Sequence, residues 1–474
     1  VQYISTRGSR IGSYRDVLVE GLAPDGGLAV PGELPRLDGA LLESWRPLGY
    51  AELATAVIGL FATDIDPDDL ARLCRAAYRP SAYASEEIVP LRGLGDGLTL
   101  VGLSEGPTLA FKDMAMQFLG EALDFVLSES GEVLNILGAT SGDTGSAAEH
   151  ALHGRERLAV FMLSPRDRMS AFQRAQMYSL LDDNVHNIVV DGVFDDCQTL
   201  VKRLAEDVAF KRAHRLGAVN SINFGRISAQ IAYYVWAWLR ATDAVPEAGR
   251  AGFEVSFAVP SGNFGNILSG HYARSMGLPV RSLVLAVNEN NVLDEFFRTG
   301  YYRPRTAAAT HTTSSPSMDV SRASNLERFV FDLLGRSPER TAAAWAALAA
   351  DGELDLSAEQ HRFLPEFGFV SGTSTHADRL ATIRDVQART GVTVDPHTAD
   401  GLLIARQHVE PGVPMLVLET AKPQKFAETI TEALGHAPTP DAATRALLDA
   451  PQRMTELPDD EGRLRALIAE LALR

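Results

Sequence analysis

The sequence is poor in cysteine, with two in 474 residues, Cys74 and Cys197, far apart and without a Cys-x-x-Cys pair or a histidine at metal-ligand spacing. A disulfide scaffold and a zinc site are therefore not expected, and neither is any other metal. Basic residues are also scarce: 44 Lys and Arg stand against 61 Asp and Glu, giving a formal net charge of −17. Such a surface repels polyanions, and there is no concentrated basic patch, so no nucleic-acid partner is expected. The longest apolar candidate, Ile231 to Leu239, falls short of the roughly 18 residues of a membrane span. Val1 to Arg7 lacks the basic-then-apolar signal pattern, and the expectation is a cytoplasmic protein with no membrane partner. Internal repeats, low-complexity tracts, a P-loop and the Gly-x-Gly-x-x-Gly dinucleotide fingerprint are all missing.

What remains is an ordinary globular composition, 46% hydrophobic and 22% charged, with a length that suggests about two or three domains. Residues 1–85 read as a small helical or mixed cap. Helices are expected over Tyr50 to Phe61 and over Pro67 to Tyr78, the second with Asp66 as N-cap, Pro67 at the first position and an acidic first turn. A core follows over 86–305, in which strands alternate with helices. The strands expected are Glu132 to Leu137, Leu158 to Leu163, Ile188 to Val190, Ala218 to Ile222, Glu254 to Val259, Arg281 to Val287 and, further on, Met415 to Leu418. Helices are expected over Asp113 to Ser128, Ser146 to His153, Asp196 to Ala209 and Ile227 to Arg240, with a smaller subdomain at about 112–225. This alternation is the mark of an α/β fold with a mostly parallel sheet covered on both faces. Residues 306–370 read as a helical insertion without strand signals, and 371–474 as the return to the core with C-terminal helices.

The chemistry centres on Lys112, delivered by Gly106-Pro107-Thr108-Leu109-Ala110-Phe111 next to a helix start. Apolar neighbours disfavour the ammonium form, which suits a Schiff-base lysine, although a surface lysine paired with Asp113 would read the same way alone. Two strand-to-helix loops change that balance. Pro260-Ser261-Gly262-Asn263-Phe264-Gly265-Asn266 has glycines for close backbone approach and amides as donors, suiting a phosphate, or it is a tight turn. Thr140-Ser141-Gly142-Asp143-Thr144-Gly145 can grip a carboxylate, or is a multiply capped helix start. Asn220-Ser221-Ile222-Asn223-Phe224-Gly225-Arg226 offers an arginine for bidentate contact with a phosphate or carboxylate. Asp395-Pro396-His397-Thr398 by itself reads as a turn.

Together, a desolvated lysine, a hydroxyl-rich loop and an asparagine-glycine loop describe a pyridoxal 5'-phosphate site. On these motifs, with Ser315 to Asp319, Asp395 to Ala399 and Tyr3 to Gly8, the chain resembles the threonine synthases of the long bacterial and fungal type, in the fold type II family of pyridoxal-phosphate enzymes. The resemblance spans nearly the whole chain. It implies two mostly parallel or mixed sheets flanked by helices, with the cofactor between domains, and conversion of O-phospho-L-homoserine and water into L-threonine and phosphate. It implies that Lys112 anchors the cofactor and shuttles protons, that Gly262, Asn263, Phe264, Gly265 and Asn266 hold the cofactor phosphate, and that Asp143 faces the cofactor ring oxygen. Thr420 would accompany the pyridine nitrogen. Thr140, Ser141 and Thr144 would bind the substrate carboxylate, and Ser221, Asn223 and Arg226 the substrate phosphate. A monomer or homodimer is expected.

The chain departs from the family pattern at Lys422, where histidine is common, and at Phe224-Gly225, where tryptophan-alanine is usual. Two other readings remain at this point: a serine or threonine dehydratase on the same fold, and a non-catalytic relative that binds a phosphorylated amino acid.

Overall fold

The computed structural model describes residues 1–167, 169–218 and 222–474. Near the N-terminus β1 (Tyr3–Ser5), β2 (Arg10–Gly12) and β3 (Ala29–Pro31) form a small antiparallel sheet in the order β2-β1-β3. Then come β4 (Leu91–Gly95), β5 (Leu98–Gly102), β6 (Leu134–Ala139), β7 (Leu158–Pro165), β8 (Val185–Asp191) and β9 (Leu216–Gly217). These are followed by β10 (Val255–Pro260), β11 (Val280–Val287), the short antiparallel pair β12 (Tyr301–Tyr302) and β13 (Leu354–Asp355), then β14 (Phe369–Thr373), β15 (Met415–Glu419) and β16 (Thr455–Pro458).

Two sheets carry the molecule. The larger runs β14-β11-β10-β15-β5-β4, parallel except for the β4–β5 hairpin, and the smaller runs β16-β8-β7-β6-β9, parallel throughout. In β10, Phe257 sits between Leu283 of β11 and Leu416 of β15. All eight residues of β7 and all six of β10 are buried, as strands covered on both faces require. The carboxyl ends of β5, β10 and β15 in one sheet, and of β6 in the other, all lead into the loops singled out in the sequence. In open parallel sheets that edge is where ligands bind.

The N-terminal segment is not a separate globule. Its helices Tyr50–Gly59 and Pro67–Ala77 share one apolar core with the long helix Phe224–Ala241, and hydrogen bonds fasten the joint. Tyr14 and Ser228 share one at 2.8 Å, Tyr78 donates to the Met114 carbonyl at 2.7 Å, and Trp236 donates to the Val89 carbonyl at 2.8 Å. Asp66 caps the second helix as expected, accepting from the Asp68 amide at 2.9 Å.

Some elements differ from the expectation. The segment expected as Asp196 to Ala209 is two helices, Phe194–Glu206 and Val208–Ala213, because the Asp207 side chain accepts from the Phe210 amide at 3.0 Å and starts a second helix. The strand expected at Ala218 to Ile222 is the two-residue β9 just before it; residues 219–221 lie outside the described residues. The insertion contains the helices Leu326–Leu333 and Pro338–Asp351, but also β13, and Phe369 already begins β14. In the two main sheets four strands have no clear sequence signal. The β4–β5 hairpin is interrupted by Gly93, Gly95 and Gly97, β14 contains Gly372, and β16 is a polar edge strand.

Arg328, fully buried, ties three segments together. It donates to the Ala29 carbonyl at 3.0 Å, to Asn325 Oδ1 at 2.6 Å and to the Ile222 carbonyl at 2.6 Å. Burial pushes its guanidinium down to about 10. Replacing it by Met strands buried acceptors on three segments, so Arg328→Met should lower stability by about 3 kcal/mol. The check is urea unfolding by circular dichroism, in which the first transition should move to lower denaturant.

Candidate active site between the two sheets

The lysine loop leaves β5 and is strapped to the segment after β15. The Phe111 amide donates to the Thr420 carbonyl at 2.9 Å, and the Lys422 amide to the Leu109 carbonyl at 3.1 Å. Leu109 adopts a left-handed φ of 57°, which turns the chain so that Lys112 caps the helix Asp113–Ser130. Asp113 is held inside the same loop by the Thr108 amide at 2.8 Å and the Thr108 hydroxyl at 2.7 Å, and burial pushes its carboxyl up to about 6. Asp113 is thus a loop brace, not a surface partner for Lys112. Lys112 Nζ has no hydrogen-bond partner among the described residues, and desolvation brings its amine down to about 8. Asp143 opposes that shift, while Arg226 and Lys425 add to it.

Asp143 opens the helix Asp143–Leu152 at the end of β6. Burial by itself would raise its carboxyl, but Lys425, Lys112 and the Ser317 hydroxyl hold it well below the usual range. Lys425 Nζ lies 3.0 Å from Oδ1, Gln173 Nε2 donates to Oδ1 at 3.1 Å, and Ser317 Oγ donates to Oδ2 at 2.6 Å. In the same loop the Thr140 hydroxyl accepts from the amides of Gly142 at 3.0 Å and Gly145 at 2.9 Å. Its acceptor capacity therefore shapes the turn. Ser141 is exposed and Thr144 half-buried at the helix N-terminus.

At the end of β10, a Cβ on Gly262 would lie 3.0 Å from Met318 Cα, so only glycine lets the two backbones approach. Phe264 has a left-handed φ of 65° while its ring stacks on Phe297 in the core. That anchors a bent run of backbone amides ahead of the helix Gly265–Met276. The Asn263 carbonyl accepts from the Asn325 amide at 3.2 Å. Asn266 Oδ1 accepts from Tyr233 at 2.6 Å and Tyr234 at 3.0 Å, which leaves Nδ2 buried and unpartnered.

Arg226 is buried, its Nε and Nη1 have no partner, and desolvation brings it down to about 10. A buried guanidinium in that state is a site for an anion. Asn223 differs from the expectation of a substrate contact. Its Oδ1 caps the helix by accepting from Gly225 N at 2.9 Å, and its Nδ2 donates to the Leu18 carbonyl at 2.9 Å. Ser221 lies outside the described residues. The Phe224-Gly225 departure fits local packing: Phe224 is buried against Tyr3 and Phe61, and a Cβ on Gly225 would come within 2.5 Å of Leu18.

Thr420 is buried and its Oγ1 is unpartnered, while its amide donates to Thr398 Oγ1 at 3.3 Å. Thr398 in turn bonds Asp395, whose Oδ1 lies 2.8 Å from His397 Nδ1. His397 Nε2 accepts from the Ser317 amide at 3.1 Å, closing a chain of bonds back to Asp143. The Asp395 motif is thereby a brace linking two parts of the cleft. Ser317, Gln173, Gln176 and Lys425 were not among the expected site residues. The only sequence signal for Lys425 was its position five residues after Thr420.

The unpartnered donors fit pyridoxal phosphate: a lowered lysine amine, a spare hydroxyl on Thr420, an amide on Asn266 beside a backbone cradle, and a separate guanidinium for a second anion. Among the described residues no group of side chains could hold a metal ion, and no helix is long and apolar enough to cross a membrane.

The family pattern described as pyridoxal-phosphate dependent enzyme matches residues 88–361, which places the chain in that class of enzymes. Patterns described as the threonine synthase N terminus and the threonine synthase C-terminal region match residues 2–78 and 398–468. Threonine synthase from Corynebacterium glutamicum is 52% identical over 99% of this chain and 98% of its own length, and that from Methylobacillus glycogenes is 50% identical over 99% and 100%. The crystal structure of pyridoxal-phosphate-bound threonine synthase from Brucella melitensis superposes with a TM-score of 0.94 at 36% identity, covering all of both chains. The yeast enzyme gives 0.91 at 32% identity, over 99% of this chain and 98% of its own. The chain belongs to the threonine synthase family.

Lys422, where the family commonly has histidine, has its own partners. It bonds Glu105 Oε1 at 2.6 Å and Glu419 Oε2 at 2.9 Å, while Arg92 bonds Glu419 at 2.6 Å. Both acids are buried. Lys422→Met leaves two buried carboxylates to one arginine and should cost about 3 kcal/mol, whereas Lys422→His should cost less, because a protonated imidazole can still donate. Thermal unfolding of the two variants at pH 6 measures the difference.

Proposed function

We propose that the cleft between the sheets is where this chain turns O-phospho-L-homoserine and water into L-threonine and phosphate, with Lys112 as anchor and proton carrier. One observation supports Lys112 above all. Of the five lysines in the sequence, two reach the cleft, and Lys425 spends its three donors on Thr108, Gln176 and Asp143 while Lys112 has none committed among the described residues. When bound, pyridoxal phosphate supplies an electron sink for charge developing at the substrate carbons.

The roles of the chain's residues follow from their spare groups. The backbone from Gly262 through Gly265 and the free Nδ2 of Asn266 would hold the cofactor phosphate. Thr420, with its spare Oγ1, would accompany the pyridine nitrogen, and a hydroxyl, unlike an acid, would not force that nitrogen to be protonated. Asp143, paired with Lys425, would face the ring oxygen. Ser141 and Thr144, at a helix N-terminus, receive the substrate carboxylate, in a turn that Thr140 shapes. Arg226 receives the substrate phosphate, and the capping bonds of Asn223 set the start of its helix.

Lys112 takes a proton from Cα and then from Cβ. The bond from Cγ to the phosphate oxygen breaks and inorganic phosphate departs onto Arg226. Water adds its oxygen at Cβ and gives up one proton to the departed phosphate, and the two protons removed return to Cα and to Cγ, which becomes the methyl group. A dehydratase would have no substrate phosphate for the buried Arg226 to meet.

Two buried free thiols, at Cys74 and Cys197, suit a reducing cytoplasm.

Lys112→Ala should abolish both the visible absorbance band of the bound cofactor and threonine formation, read by spectroscopy and product chromatography. A band that survives the substitution would remove Lys112 as the anchor. Arg226→Met should lower kcat/KM for O-phospho-L-homoserine about a hundredfold by removing a charged bond to the phosphate. A base must be neutral to accept a proton, and the Lys112 amine titrates near 8, so kcat should climb through that pH and level off above it.

A further inference from the structure

We propose that Lys425 is a positioning residue for proton transfer: it acts through Asp143, fixing that carboxylate and offsetting its charge in the cleft it shares with the Lys112 amine. The proposal rests on Lys112 being the residue that carries the cofactor and the protons.

Lys425 follows β15, yet it is one of the most deeply buried charges in the cleft. Its ammonium donates to the Thr108 carbonyl at 2.7 Å and to Gln176 Oε1 at 2.8 Å, and lies 3.0 Å from Asp143 Oδ1. Three donors meet three acceptors, so Lys425 has no spare hydrogen for substrate. Gln176 itself donates to the Thr108 carbonyl at 2.9 Å. Thr108 holds Asp113, the residue after Lys112. Lys425 therefore braces Lys112 from two directions, through its loop and through the carboxylate it faces.

The charge arrangement makes the effect on Lys112 readable. Lys112 is faced by Asp143, Asp113, Arg226 and Lys425, Asp143 by Lys425, Lys112 and His397, and the field of Lys425 also reaches Asp113 and His150. Without Lys425 the carboxylate of Asp143 acts on Lys112 uncompensated. An added positive charge close by also vanishes. Both changes favour the protonated Lys112 amine.

The experiment compares the kcat–pH profiles of the holoenzyme carrying Lys425→Met, Lys425→Arg, Asp143→Asn and the double substitution with wild type. The pH dependence of the cofactor's visible band in the resting enzyme is recorded alongside. Lys425→Met should move the acid limb of kcat up by about one to two pH units, so that kcat at pH 7 drops at least about tenfold. Lys425→Arg, which keeps the charge, should bring the limb back toward wild type. Asp143→Asn should move it to lower pH, and adding Lys425→Met in that background should then move it far less than it does alone. The band should titrate at a different pH in Lys425→Met.

A Lys425→Met profile that is scaled down with its limb unmoved, or a band titration unchanged from wild type, would overturn the proposal and leave a packing role. Equal limb shifts with and without Asp143 would overturn the route through that carboxylate. If Lys425→Met does not fold, an unmoved limb in Asp143→Asn overturns the proposal from the other partner. A failure of Lys112 as anchor is separate, because it shows as a band that persists in Lys112→Ala.

Discussion

The cleft depends on a buried carboxylate, Asp143, paired with the buried Lys425 and felt electrostatically by Lys112. Asp143 would be expensive to keep ionised inside the protein, and it remains so because Lys425, Lys112, Ser317 and Gln173 surround it. Its partners come from both sides of the cleft. Asp143 and Gln173 belong to the part built on the smaller sheet, while Lys425 and Ser317 follow or flank strands of the larger one. The same bonds that settle the charge of the site therefore also settle how the two sheets meet. The Asp395–His397–Ser317 chain extends that coupling to Thr398 and Thr420.

Among the described residues, three buried groups of the cleft have donors without a partner: Thr420 at Oγ1, Asn266 at Nδ2 and Arg226 at Nε and Nη1. Buried donors left bare in this way are open to ligands. Asn266, braced by two tyrosines, and Arg226, buried on another helix, are separate donors, and in the proposed function the first would hold the cofactor phosphate, which is retained, and the second the substrate phosphate, which is released.

Much of this was legible in the sequence, and the limits have physical causes. Lys112, the two loops and the alternating elements showed because glycine, hydroxyl and lysine choices mark strand-to-helix turns. The hairpin of β4 and β5 did not show, since Gly93, Gly95 and Gly97 dilute its apolar pattern, and β16 is polar because it lies at an edge. Asn223 has the right residue type for a phosphate ligand, but a helix start in need of a cap claims it first. Lys425 was invisible for a related reason: a charge whose partners lie some 250 and 280 residues earlier in the chain leaves no local pattern.

The strand order of the larger sheet has a bearing on how the protein is made. β15, at residues 415–419, lies between β10 and β5 and is the only bridge joining the β14-β11-β10 half to the β5-β4 half. It is also the last strand of that sheet to be synthesised. Until β15 has left the ribosome, the two halves have edges facing each other with nothing between them, and the lysine loop lacks the Thr420 segment to which it is strapped. The final strand, β16, then pairs with β8 at the border of the smaller sheet, and the Leu473 amide reaches back to Asn135 at 2.9 Å. The cleft consequently cannot assemble before β15 has been made, and the exposed strand edges of the growing chain must be kept apart until then.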